Sequence, residues 1–594
     1  MKEIEKISNE CNERIRETEK IYNVVSFFRV LFFLLFVIEI LRGFSKLINY
    51  EIFIGFCSLI ALILLLLKSA VLIKKIAFLK NKKSVCQEII EEGLNDNKDL
   101  RFKIDVNHPF SDDLDIFGEN SLFRKINRCQ TVFGMESLKL KIHKPLLSTE
   151  KIYSRQNAIK ELSTKIVWCV DFLASTKSLD LNIFNEENVS SLFSNFKQPK
   201  LESKLVKFLL LFIPIFNITF YTLIFLLNLN VFYVLIPFII SGIIIKTYSN
   251  SVKETYSFVN VKSNELKECV LVFTLIEEET FSSTELLMLQ KKIVSSDKVK
   301  SSVLIKKLSQ LIDLFENRNI LIFGTILNLV FLWDLQYAYR IGRYLKENKT
   351  KIPEWFEAIG EFEALISFGL FANKNQDFNY PNCSKDFNSI EIKNFAHPFL
   401  EEKIRVYNDF EIKRENNVCI ITGANMTGKS TFLRAVGINL LLAMNGCPVC
   451  AQVFNFYPIS IFTSMRTSDS LADGSSYFNA EIKRLKLLID KLENNEPQFI
   501  ILDEILKGTN SLDKLKGSEL FLEKIIKNPT LINCLIATHD IELTKMEISN
   551  PNVINYCFEL YNNNGTLKPD YKLSRGVTKS MNALALMRQF KIID

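Results

Sequence analysis

Residues 421–432 read ITGANMTGKSTF, and the frame G-x-x-x-x-G-K-S within them places two glycines, a lysine and a hydroxyl where a phosphate chain can be held. Gly423 and Gly428 let the backbone curl so that its N–H groups face phosphate oxygens at a helix N-terminus. Lys429 can then reach the β- and γ-phosphates, and Ser430 offers a hydroxyl to Mg2+. Gly423, Ala424, Asn425, Met426, Thr427, Gly428, Lys429, Ser430 and Thr431 are therefore the candidate nucleotide-binding residues. Further along, FIILDE (499–504) is an apolar run ending in two carboxylates. Asp503 suits the Mg2+ shell, and Glu504 suits a base that orients and deprotonates an attacking water. A third apolar run, LIATHD, carries His539 near its end, which can sense a γ-phosphate. A lone histidine is more often structural, but its place after an apolar strand downstream of the two acids favours the functional reading. The chemistry implied is Mg2+-dependent ATP hydrolysis, with Lys429, Glu504 and His539 as the catalytic candidates.

These residues need a scaffold that brings strand ends together. VCII before the loop reads as a strand and STFLRAVGINLLLAM after it as a helix. From about residue 380, short β-rich runs (NNVCIITG, PQFIILDE, LINCLIATHD) alternate with helical stretches, the pattern of an α/β domain on a largely parallel sheet. Between Ile243 and Phe323 there is neither Gly nor Pro, which predicts long helices. TSDSLADGSSYFNAEI (467–482) reads, by composition, as a polar loop capping a helix that starts near Asn479.

At 594 residues the chain is too long for one core, and about three or four domains are expected. The net charge of +7, from 74 basic and 67 acidic residues, does not by itself signal nucleic acid. Hydrophobic residues make up 48% of the chain, with 49 Phe, which requires part of it to sit in lipid. The twelve Cys are scattered and read as reduced, mostly buried thiols. Cys447 and Cys450 have C-x-x-C spacing, but a zinc site needs two more ligands and a redox site a thioredoxin-like context, so the pair is read as structural.

Two apolar hairpins are predicted. The first joins VVSFFRVLFFLLFVIEIL (24–41), which carries Arg29 and Glu39, to the uncharged IFIGFCSLIALILLLL (52–67). A secretory signal peptide is not expected, because the first run starts late, lacks a small-residue cleavage site and is followed by a second run. The other hairpin is FLLLFIPIFNITFYTLIFLLN (208–228) with VFYVLIPFIISGIIIK (231–246). ILIFGTILNLVFLW (320–333) is shorter and is expected as a core helix. Lys2, Lys6, Arg14, Arg16 and Lys20 precede the first hairpin, and Lys68, Lys74, Lys75, Lys80, Lys82 and Lys83 follow it. The positive-inside rule places both of its ends in the cytoplasm.

Taken together, the motifs resemble the ATPase domain of the MutS family of DNA mismatch-repair proteins, a branch of the ABC-type ATPases. TGANMTGKSTFLRAVGINLLLAMNGCPVCA is similar to that family's phosphate loop and following helix, with Ala424 for the usual Pro and Thr427 for a usual small residue. SDSLADGSSYFNAE resembles the signature segment. The resemblance implies that Ser476 reaches across a dimer interface to the partner's ATP, with Phe478 and Glu481 at the other marked positions. LDEILKGTNSLD matches the acidic strand and its loop, with Asn510 where Ser is frequent, while ATHD departs from the usual aromatic after His. Upstream, 115–162 resembles the start of the family's core domain, and AHPFL (396–400) and YNDF (407–410) its approach to the ATPase. The similarity covers roughly 113–205 and 380–594. Residues 1–112 leave no room for the mismatch-reading domain with its Phe-x-Glu wedge, the second hairpin interrupts the lever and clamp region, and no appended nuclease domain is expected.

The expected fold class is therefore multidomain α and α/β, ordered as a cytosolic N-terminal segment (1–25), a transmembrane hairpin (26–75), a linker and core start (76–205), a second transmembrane hairpin (206–246), a helical lever and core (247–379) and an ABC-type P-loop ATPase domain (380–594). The expected protein is a multi-pass ATPase of the cell (inner) membrane with its ATPase domain in the cytoplasm. The resemblance implies a homodimer with composite sites, and DNA as partner beside the lipid bilayer. The competing expectation is a membrane-remodelling or transport-type ABC ATPase that never touches DNA. An exporter would carry more membrane helices and an L-S-G-G-Q signature, where this chain has LADGSS.

Overall fold

The computed structural model describes residues 2–46, 49–91, 108–118, 121–179, 201–260, 263–294, 300–386, 388–465, 477–506, 510–528, 530, 532–563 and 566–578. It opens with two helices, Lys2–Lys46 and Asn49–Ile90, of 45 and 42 residues. Arg29 Nη1 donates to Ser69 Oγ (3.1 Å) and Lys80 pairs with Glu19 (2.9 Å), so the two run antiparallel. At about 1.5 Å per residue each is roughly 65 Å long, about twice a hydrocarbon layer. Their charge-rich ends pack as a buried seam of Ile4, Ile7, Cys11 and Ile15 with Val85, Cys86 and Ile89. Their other ends leave Val24, Phe27, Val30 and Leu34, and Phe53, Phe56, Leu64 and Leu67, exposed. Neither helix breaks at residue 25 or 75, since no Gly or Pro precedes Gly43 and the second helix tolerates Gly55. The second helix docks on the body through Lys82–Asp171 (2.5 Å) and through Glu88, which pairs with Lys177 and accepts from Gln130 Nε2 (3.0 Å).

The body is helical. Leu122–Ile126, Val132–His143, Thr149–Thr164 and Ile166–Lys177 precede a second apolar pair, Lys204–Leu226 and Leu235–Asn260. Ser263–Glu278, Thr284–Ile293, Ser301–Glu316, Leu321–Phe331, Trp333–Glu347 and Lys351–Lys374 follow, as the Gly- and Pro-free interval predicts. Among the described residues four helices are long and apolar enough to cross a membrane: Lys2–Arg42, Phe53–Ile90, Lys204–Leu226 and Val231–Phe258. The run 320–333, expected in the core, lies instead against the second pair, with Ile320 and Ile326 54% and 55% exposed. An all-apolar helix has no polar face to orient it, so periodicity cannot separate these two environments.

Lys351–Lys374 is the core of the body, burying Trp355, Phe356, Ile359, Phe362, Leu365, Ile366 and Phe368. Val132–His143 crosses it closely because Gly134 faces Glu363 and Gly360 faces Phe133. Glu363 is fully buried and its carboxylate accepts from Gln130 N (3.2 Å), Thr131 N (3.1 Å) and Thr131 Oγ1 (2.6 Å). Burial pushes its carboxyl above the ordinary range, and these donors oppose that rise.

The C-terminal part holds two sheets. One has the order β1 (Asn382–Cys383), β5 (Val453–Phe456), β2 (Ser389–Phe395), β3 (Asn408–Lys413). The larger has the order β10 (Thr566–Arg575), β9 (Val553–Asn563), β4 (Val418–Gly423), β8 (Ile532–Thr538), β7 (Gln498–Asp503), β6 (Ser460–Ser464). All of its neighbours are parallel except β10, which is antiparallel to β9. Alternate residues of β4 serve opposite faces: Cys419 and Ile421 pack with the helix Lys429–Met444, and Val418 and Ile420 with Tyr477–Glu493 and Ser511–Ile526. Helices on both faces explain the near-continuous apolar strands.

A methyl at Gly134 would overlap Glu363 Oε2 and lie 2.8 Å from its Cβ. Gly134→Ala is expected to destabilise the chain by about 1–3 kcal/mol. The measurement is thermal unfolding in detergent, and an unchanged midpoint would show that the two helices separate without cost.

Candidate nucleotide site

The loop begins where β4 ends. Gly423 has φ +155° and Gly428 φ +101°, and a Cβ on Gly423 would lie 2.9 Å from both Phe558 O and Thr427 Oγ1. Met426, at the exposed tip, takes φ +66° without being glycine. Thr427 Oγ1 donates to Ala424 O (2.8 Å), closing the turn from inside. That contact gives Thr427 a structural task. The helix Lys429–Met444 then starts at Lys429, whose buried ammonium donates to Gly423 O (2.8 Å) and Ala424 O (3.0 Å). Its Nζ also lies 3.3 Å from His539 Nε2.

Ser430 Oγ donates to Asp503 Oδ2 at 2.6 Å. Asp503 is the last residue of β7, and the chain turns sharply after it: Glu504 has φ +51° and Leu506 φ +62°. Two non-glycine residues in the left-handed region so close together store strain that the surroundings must hold. Glu504 N donates to Ala537 O (2.9 Å), and the buried Glu481 accepts from Leu506 N (2.5 Å). Glu504 Oε1 and His539 Nε2 are 2.8 Å apart. Because β8 lies between β4 and β7, His539 falls between the loop lysine and the acidic pair. Lys429, Ser430, Asp503, Glu504 and His539 thus meet at the carboxyl edge of the sheet, where parallel α/β sheets present their sites.

Ser476 lies outside the described residues, as do 466–475 and 507–509. Phe478, at the start of Tyr477–Glu493, packs half-buried on the sheet. Asn510 Oδ1 accepts from Asp513 N (2.9 Å) and caps Ser511–Ile526, a task that Ser performs equally well. Cys447 and Cys450 are buried, as are all the cysteines but the exposed Cys57. Among the described residues no three His, Cys, Asp or Glu side chains gather as a metal site.

One residue escaped the sequence reading. Tyr571 sits at an irregularity of β10 with φ +57°, and a Cβ on Gly428 would lie 3.0 Å from its ring. Asn408 holds it there, donating to Tyr571 O (3.0 Å) and accepting from Leu573 N (2.7 Å), while Lys572 Nζ donates to Tyr407 O (2.6 Å). The YNDF segment therefore fixes an aromatic ring beside the candidate phosphate loop. Its only sequence signal is a non-glycine bulge in a strand 163 residues away, which spacing rules do not register.

The family model of MutS domain V matches residues 419–591, and that of MutS domain III matches 104–369, a span that includes the second apolar pair. The DNA mismatch repair protein MutS of Lachnoclostridium phytofermentans is 33% identical over 235 residues, covering 38% of this chain and 25% of that protein. The DNA mismatch repair protein MutS of Thermotoga maritima is 34% identical over 218 residues, or 36% and 26%. The chain thus spans about a quarter of the length of the curated relatives it matches. With both domains matched in order over most of its length, and with relatives above 30% identity, the chain belongs to the MutS family.

Proposed function

We propose that this chain is a membrane-anchored MutS-like ATPase of the ABC type that hydrolyses ATP at composite dimer sites and engages DNA. The observation that carries the catalytic half is the convergence of Ser430 with Asp503 at 2.6 Å beside Glu504 with His539 at 2.8 Å, at the mouth of a glycine-hinged loop. Two hard oxygen donors, Ser430 in the first turn of the loop helix and Asp503 at the end of β7, suit Mg2+, which when bound neutralises phosphate charge. Ser430 and Asp503 would hold it. Lys429 supplies a positive charge to the β- and γ-phosphates, and the backbone from Gly423 to Thr431 lines the phosphate path. Glu504 takes a proton from the attacking water, and His539, hydrogen-bonded to it, orients that carboxylate. The Tyr571 ring is available to stack on the base. The strand order β4-β8-β7, with one strand between the loop strand and the acidic strand, supports the ABC-type assignment.

The membrane half rests on the four long apolar helices and on their exposed Phe and Leu surfaces. Lysines and arginines flank the first pair at both ends, so both pairs are read as hairpins entering from the cytoplasm, with the ATPase domain on that side of the cell (inner) membrane. DNA as partner, and dimerisation through Ser476, come from the family. The second pair falls inside the domain III match and packs directly on body helices, which also favours a membrane-remodelling machine that uses the same motor without DNA.

Glu504→Gln is expected to keep ATP binding while turnover falls by about 10²–10⁴-fold. Single-turnover kinetics with a separate nucleotide-binding assay check this, and normal turnover sinks the base assignment. Ser476→Ala should lower turnover with dimerisation intact by analytical ultracentrifugation. A wild-type monomer working at the full rate would remove the composite site. The ATPase rate in nanodiscs with duplex, mismatched or branched DNA across a salt series separates the two readings. Stimulation that weakens with salt indicates phosphate contacts, while a rate that ignores DNA but follows the lipid favours remodelling.

A further inference from the structure

At the foot of the second apolar pair a cavity of about 620 Å³ opens between Lys204–Leu226, Ser301–Glu316 and Trp333–Glu347. Its walls carry four cations, Lys207, Lys307, Arg340 and Arg343, against one carboxylate, Glu347. Glu347 is already engaged by Arg343 at 2.7 Å. Among the described residues Lys207, Lys307 and Arg340 have no carboxylate within ion-pair distance. Two of these heads are steered by rings, Lys307 over Tyr344 (6.0 Å) and Arg340 over Tyr337 (5.3 Å). The Tyr344 ring is itself anchored, its hydroxyl donating to Leu304 O (2.7 Å). Three cations without a carboxylate partner thus line one cavity, and a guanidinium together with two ammonium groups suits a phosphate.

The remaining wall decides which phosphate. Leu210 and Leu211 line the same cavity, and Leu211 is 70% exposed. From there Phe208 and Phe212, stacked at 5.2 Å, continue an exposed apolar track along the hairpin helix. Lys207 is the last charged residue before that track, so the cations sit where the apolar run ends. That is the level of lipid phosphates on the cytoplasmic face. We propose that this cavity binds the headgroup of an anionic phospholipid, with its acyl chains lying along the Phe208–Phe212 face. The inference rests on the reading that the second pair enters the bilayer. A bound headgroup would bridge the hairpin to Trp333–Glu347, which leads directly into the central helix Lys351–Lys374.

The test uses the full chain in nanodiscs of phosphatidylcholine with or without phosphatidylglycerol, and native mass spectrometry of the lipid retained on release. Wild type should retain phosphatidylglycerol over phosphatidylcholine. Lys307→Gln combined with Arg340→Gln should reduce that preference roughly tenfold or more, whereas Lys74→Gln combined with Lys75→Gln, on the first pair, should not. Both lysine and arginine of the first double variant are exposed, and an unchanged melting temperature and ATPase rate confirm that it folds. Equal retention by wild type and variant, in chains that resist carbonate extraction, overturns the lipid site and leaves membrane anchoring standing. Release by carbonate would instead remove the anchoring itself. Displacement of the lipid by millimolar inorganic phosphate or by short duplex DNA as readily as by phosphatidylglycerol would reassign the cavity to a free anion or to nucleic acid, against the proposal.

Discussion

The backbone pairing of β8 with both of its neighbours is the constraint on which the candidate nucleotide site depends. Thr422 lies opposite Thr538 in β4–β8, and Asp503 opposite Ala537 in β8–β7. These registers put the ends of three strands within one side chain of each other, so Lys429, His539 and the acidic pair meet without any long loop. A slip of one residue would turn every side chain of a strand to the other face, and both faces are buried, so the register is held by two hydrophobic layers at once. The strained turn at Glu504 and Leu506 is then affordable locally because Ala537 O and Glu481 pin its amides.

The same sheet is tied to the helical body through a short stretch. Asp113, 2% exposed, accepts from Thr463 Oγ1 (2.5 Å) and Met465 N (3.1 Å) and pairs with Arg484 (3.2 Å). Arg434, on the phosphate-loop helix, donates to Asp113 O (3.1 Å), and Gly437 on that helix lets Leu114 approach. Arg484 belongs to Tyr477–Glu493, the helix whose first turn is the end of the segment resembling the family's signature. One buried aspartate therefore touches β6, the loop helix and the signature helix together. Removing either partner of such a pair leaves an uncompensated buried charge, so this link resists partial loosening.

What was legible in the sequence was whatever its own neighbours determine. The loop from Gly423 to Ser430 is recognisable because its chemistry is fixed within eight residues, and the strands because burial on both sides makes them apolar throughout. The helical interval was legible because it lacks breakers. Tyr571 was not, because its place is set by Asn408 across a sheet contact and by a backbone irregularity that no residue type announces. Leu321–Phe331 was misassigned for a different reason: its composition is satisfied equally by a protein core or by an apolar hairpin, and only a distant polar residue chooses.

That residue is Asn217. It is fully buried within Lys204–Leu226, and the two hydrogens of its amide nitrogen are shared among Ser241 Oγ (3.1 Å) on the second helix of the pair, Leu329 O (3.2 Å) and Val330 O (3.0 Å). The last carbonyls of a helix have no partner within it, and in an apolar setting leaving them bare is costly. Asn217 satisfies two of them, so Leu321–Phe331 is bound to the hairpin more firmly than to the core. The chain then turns at Leu332 (φ +52°), where Asn328 and Asp334 exchange hydrogen bonds and Arg318 pairs with Asp334 (3.4 Å). Trp333–Glu347 starts from that knot and passes into the central helix. A polar knot in apolar surroundings has few alternative partners, so it fixes the point at which Trp333–Glu347 leaves the apolar pair. Drawing Trp333–Glu347 away from the second apolar pair would have to break these hydrogen bonds, for which the surrounding apolar side chains offer no substitute.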